Sequence, residues 1–147
     1  MITEPRLSAD VTDRFDTVVR HLVSIAPQCK KCIFLNLEMR DAKSDNAISP
    51  DLFAVVRPWF GPIKREPIEV NWDTANLLMS LGEFLLTHWS LPHLIIDIII
   101  NKRGQYKIYK DDGRLRRLAG GDKMYRSKYR EYVGIEPWLA ELGQLNK

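Results

Sequence analysis

The chain has 147 residues, 45% of them hydrophobic and 28% charged, which excludes wholesale disorder and suits one domain with a self-sufficient core. Net charge is only +3, yet residues 102–130 hold eleven Lys and Arg against three Asp and Glu, so one segment carries the positive excess. No apolar run is long enough for a membrane-spanning helix, and two cysteines behind an N-terminus without an apolar stretch point to a reducing, cytoplasmic setting.

The first expected element is a helix over Ala9–Ile25. Val11, Phe15, Val18, Val19, Leu22 and Val23 recur on one helical stripe, Ser8 is a suitable N-cap, and Pro27 ends the pattern. A strand over Ile33–Met39 follows, alternating Ile33, Leu35, Leu37 and Met39 with Phe34, Asn36 and Glu38, so one clearly buried face is expected. Residues 40–50 are rich in Asp, Lys, Ser and Asn and read as a loop. A second strand covers Leu52–Val56, Gly61-Pro62 turns the chain, and Ile63–Val70 is at most a short edge strand because of Pro67.

A second helix is expected over Thr74–Trp89, capped by Asn71 or Asp73, with Leu77, Leu78, Leu81, Phe84 and Leu85 on its apolar side. Leu94–Ile100 is the most hydrophobic strand in the chain, and its near-continuous apolar run places it centrally in a sheet. A Gly104 turn leads into a further strand over Gln105–Tyr109. Asp122 to about Tyr132, and a segment from Pro137 onward, read as C-terminal helices. The expected fold is therefore a single α+β domain, residues 1–147. It has a mainly antiparallel sheet packed by an N-terminal helix, a central helix and C-terminal helices.

Few motifs carry chemistry. Cys29-x-x-Cys32 lacks the second ligand pair of a zinc site. It also precedes a strand rather than a helix N-terminus, unlike a redox dithiol, so two ordinary thiols are expected. His21 reads as a boundary residue of the first helix, and His88 and His93 as flanks of the second. Asp97, between Ile96 and Ile98, needs a partner or a raised pKa, and a pairing with an arginine such as Arg57 is expected. No phosphate loop, nucleophile elbow or metalloprotease pattern is present, so no catalytic residue, metal or cofactor is expected.

Two surfaces are candidates for binding. The first combines acidic Glu38, Asp41, Asp45 and Asp51 with Trp59 and Phe60, aromatics rimmed by charge being good interface anchors; core packing of Trp59 is the alternative. The second is the basic segment with Arg114, Arg116, Arg117, Lys123, Arg126, Lys128 and Arg130, where arginines and tyrosines together could hold nucleic acid. A solvated basic helix with Tyr125, Tyr129 and Tyr132 turned to the core is its bland alternative.

The order of elements is an opening helix ending at Ala26-Pro27, strands at Ile33–Met39 and Leu52–Val56, a helix closing on Trp89, then Ile95–Ile100, Gly104 and Tyr106–Tyr109. This order resembles the small α+β immunity proteins of bacterial toxin systems, the YezG-like and contact-dependent growth-inhibition immunity families. The resemblance covers roughly residues 9–112, and the Asp122–Lys147 segment extends beyond it. It implies a non-enzymatic protein that binds a cognate toxin domain and blocks its active site. The alternative expectation is a nucleic-acid-binding accessory protein using residues 102–130.

Overall fold

A computed structural model of the protein describes residues 2–28, 30–40, 47–57, 59–113, 115, 118 and 143. It has α+β architecture. Among the described residues, six strands form one sheet in the order β1-β6-β5-β2-β3-β4, and two helices pack on one of its faces. The strands are β1 (Ile2–Thr3), β2 (Lys30–Arg40), β3 (Ala47–Val56), β4 (Lys64–Pro67), β5 (His93–Asn101) and β6 (Tyr106–Asp111). Every neighbouring pair is antiparallel. The C-terminal helices expected from the sequence lie outside the described residues.

Helix α1 (Ala9–Ile25) has the expected bounds. Ser8 caps it by accepting a hydrogen bond from the Val11 amide, which satisfies one of the orphan donors of the first turn. Val11, Phe15, Val18, Val19 and Leu22 are buried against the sheet, whereas Val23, on the margin of the stripe, is half-buried. Helix α2 (Trp72–His88) starts two residues earlier than expected, because the Asn71 side chain, not Asp73, accepts the Thr74 amide. Ser90, at φ 51, ends it in the left-handed conformation that usually favours glycine.

The strand Leu94–Ile100 is central as its composition requires. β5 lies between β6 and β2, paired residue for residue from Cys32↔Asn101 to Arg40↔His93 and from Ile96↔Lys110 to Ile100↔Tyr106. Its core-facing partners Leu35, Leu52, Ile98 and Ile108 form one apolar row across four strands, and α1 and α2 close over that side. Each such buried aliphatic side chain contributes roughly 1.5–3 kcal/mol by leaving water.

Two expectations are corrected. Residues 40–50 are not all loop: β2 runs to Arg40 and β3 begins at Ala47, and pairing with β2 draws the polar stretch Ile48-Ser49-Pro50-Asp51 into the sheet. Pro50 is tolerated there because β4 covers only Phe53–Val56, so β3 is an edge strand at that point. The second correction concerns β2, which is buried on both faces rather than one, from Cys32 through Met39. On the face away from the helices, Cys32, Phe34, Phe53, Val55, Ile99 and Tyr109 form a second apolar cluster.

Candidate partner-binding surface

The two halves of the acidic–aromatic surface expected from the sequence are separated by the fold. Trp59 and Phe60 lie in the connection that follows the Val56 end of β3, and Gly61, at φ 102, turns the chain back into β4. Asp41 and Asp45 lie outside the described residues; the described residues that flank them in sequence, Arg40 and Ala47, pair at the opposite end of β3. Ten strand residues separate the two ends, about 30 Å at the usual rise per residue.

Glu38 does not lie in an exposed loop. It is fully buried within β2, two residues before the strand's end, opposite Ser49 and Ile95. Asp51 is half-buried within β3. Strand alternation puts Asp51, Asn36, Asp97 and Tyr109 in a single row across β3, β2, β5 and β6, on the face away from the helices. In that row Asn36 Nδ2 donates to Asp97 Oδ1 at 2.8 Å. Asn36 is thus one partner of Asp97, while Arg57, an arginine of the kind expected from the sequence, follows the last residue of β3 and is exposed. Glu38 thus belongs to the buried interior of the sheet, a poor site for contact with a partner, whereas half-buried Asp51 stands where β3 is an edge strand.

Trp59 and Phe60, by contrast, are 91% and 84% exposed, so the core-packing alternative for Trp59 is excluded. Their rings meet edge to face, with centroids 6.3 Å apart, a geometry that aromatic pairs favour. Trp72, at the start of α2, is also 79% exposed.

The other candidate groups have structural partners. His21 Nε2 is 2.8 Å from the Thr74 hydroxyl and ties α1 to α2, His93 Nε2 is 2.7 Å from the Gly113 carbonyl oxygen, and His88 stacks on Phe84. Burial pushes the Cys32 thiol up to about 12, which keeps it protonated and unreactive; Cys29 lies outside the described residues. Among the described residues no group of three His, Cys, Asp or Glu side chains is arranged to hold a metal. A groove of about 330 Å³ between the helices is lined by Asp13, Arg14, Thr17, Val18, Leu77, Ser80 and Leu81, and Arg14 lies over the Phe84 ring at 4.5 Å.

Tyr106 donates to Asp16 Oδ1 at 2.6 Å and fastens β6 to α1; burial and then the Asp16 carboxylate hold its phenol above the ordinary value. Arg114, Arg116, Arg117, Lys123, Arg126, Lys128 and Arg130 lie outside the described residues. The signal missed in the sequence is the aromatic pair's true neighbourhood, which depends on strand register and not on proximity along the chain. No helix among the described residues is long and apolar enough to cross a membrane. Neither a protein-family model nor a curated protein matches the sequence.

Proposed function

We propose that this protein is a non-catalytic binding protein that neutralises a bacterial toxin domain, using the β3–β4 tip as its principal anchor. The exposure of Trp59 and Phe60 carries this reading. Two large aromatic rings side by side in water add little to the stability of the domain, whereas buried in a partner's pocket they supply the energy typical of interface hot spots. The toxin-neutralising part rests on the resemblance in element order, supported by the sequence α1, β2, β3, β4, α2, β5, β6. Glu38 has no share in that docking surface, because it is fully buried in the sheet.

Calorimetric titration with a candidate cognate toxin domain tests the reading. One-to-one binding in the nanomolar range is expected, with a loss of about a hundredfold for the Trp59→Ala/Phe60→Ala variant, two hot-spot side chains being worth that much or more. Absence of binding, or binding that ignores the double substitution, would overturn it.

A further inference from the structure

The end of the sheet that bears Trp59 and Phe60 is built almost wholly from cationic chain segments. Lys30 pairs with Val56, and Val56 pairs with Lys64, so Lys30 and Lys64 flank the last residue of β3 on either side. Arg57 follows directly. On the other flank Cys32 pairs with Asn101, which brings the β5–β6 turn, with Lys102 and Arg103, next to Lys31. A β-bulge between Lys30 and Cys32 sits at this same end. Arg57, Lys64, Lys102 and Arg103 are exposed, and Lys30 and Lys31 are half-buried.

Segments 28–33, 54–65 and 99–105, which make up this end of the four strands, contain no Asp or Glu at all. The excess is local, in a chain that nearly balances its charges overall. Among the described residues, acidic side chains come near at Glu66, opposite Ala54 further into β4, and on the helix layer at Asp16, which accepts from Tyr106, and at Asp73, which follows Trp72; the His21–Thr74 contact places that end of α2 beside the last turns of α1. Four adjacent strand ends span about 15 Å at the usual strand spacing, so the cations form a crest rather than a point. From this crest project two aromatic rings.

We propose that the crest binds single-stranded nucleic acid, the cations neutralising successive phosphates and Trp59 and Phe60 stacking on unpaired bases. A row of cations across four strand ends, with Glu66 set one step further into β4, matches a polyanion of uniform charge better than a protein face of evenly mixed charge. Rings set edge to face on a protruding tip can reach the open faces of unstacked bases, which a duplex keeps covered. This goes beyond the toxin-neutralising reading while sharing its aromatic tip. It also differs from binding by the segment 102–130 alone, sharing only Lys102 and Arg103 with it and drawing Lys30, Lys31, Arg57 and Lys64 from β2, the residue after β3, and β4.

The test is fluorescence anisotropy with labelled oligouridylate and oligothymidylate of a dozen nucleotides, at low and moderate salt. Variants are Lys64→Glu/Lys102→Glu, Trp59→Ala/Phe60→Ala and, as a control, Arg6→Glu/Arg20→Glu, all at exposed positions, with folding checked by circular dichroism. Micromolar binding is expected at low salt, weakening by about tenfold or more at moderate salt. The charge reversal should weaken it roughly tenfold or more and flatten the salt dependence. Removal of the rings should weaken it by about tenfold with the salt dependence intact, and the control should stay within twofold.

Retention of the oligouridylate over the oligothymidylate would assign the site to RNA, and the reverse to DNA. No binding to either, tighter binding to duplex, or preference for anionic lipid vesicles would overturn the proposal, as would full binding by the Lys64→Glu/Lys102→Glu variant. Toxin binding needs the rings but not the phosphate-binding cations. Loss of one activity without the other therefore identifies which reading has failed.

Discussion

Asn36 and Asp97 face each other across β2 and β5, and the Asn36 amide donates to the Asp97 carboxylate at 2.8 Å, with both side chains essentially out of water. A carboxylate in the centre of a sheet is tolerated only where donors surround it. The amide is one such donor, and strand register delivers it without the cost of holding a long flexible side chain in place.

Asn36→Ala removes that donor and leaves an acceptor buried, so it should lower stability by about 1–3 kcal/mol. Urea denaturation reads this as a drop in midpoint at unchanged slope. Asp97→Asn keeps the shape and one acceptor oxygen and should cost less. Equal midpoints for Asn36→Ala and wild type would show that the amide does not support the carboxylate.

The Cys32 thiol gives a prediction in pH. Burial raises it from 9.0 to about 12, the Val55 backbone hydrogen bond and Lys31 pulling the other way. Below about pH 9 both folded and unfolded chains keep the proton, and the stabilising contribution is fully present. Between about 9 and 12 only the folded chain keeps it, so stability falls by up to about 1.4 kcal/mol per pH unit. Cys32→Val removes this dependence while leaving that of Tyr106. Wild type should therefore lose roughly 1 kcal/mol more than the variant between about pH 9.5 and 10.5. Parallel pH profiles would mean that the thiol reaches solvent.

Much of this fold was legible because apolar period and burial coincide. In α1, Val11, Phe15, Val18, Val19 and Leu22 announce a helix and are the residues that face the sheet. The run from Leu94 to Ile100 announces a central strand and is one. In β2, by contrast, Asn36 and Glu38 read as a solvent face, and both are fully buried. Alternation reports which face is polar, and here the polar row is enclosed within the structure. The two-residue β1 is too short to show any period, and residues 47–51 become strand only through their partner β2. The candidate surface was half legible: the exposed aromatics could be picked out, but their cationic neighbours come from three separate segments that only the register unites.

Exposure and burial also separate two aromatic substitutions that look alike in sequence. Phe15 is wholly enclosed beneath α1, and Phe15→Ala should cost about 3–5 kcal/mol. Trp59→Ala and Phe60→Ala, at positions open to water, should each stay within about 0.5 kcal/mol of wild type. Thermal unfolding of the three variants checks this. A large loss for Trp59→Ala would show that the ring is packed in the folded protein and unsuited to serve as a free anchor.

Gly82 and Met39 supply the last prediction. Gly82 lies mid-helix in α2, where glycine is about 1 kcal/mol worse than alanine, and it is buried. A methyl group there would run into the sulfur of Met39, itself fully buried in β2. Methionine is flexible, but Met39 is fully buried, so its sulfur moves only against other core atoms, an overpacking cost of about 1–3 kcal/mol. The clash outweighs the gain in helix propensity, so Gly82→Ala should destabilise the protein by roughly 1 kcal/mol. With Met39→Ala already present the obstacle is gone, and the same substitution should become neutral or stabilising by up to about 1 kcal/mol. Urea unfolding of the four proteins should therefore give a coupling of about 1–2 kcal/mol. Additivity within about 0.5 kcal/mol would mean that Met39 moves aside freely and that glycine at 82 answers to some other constraint.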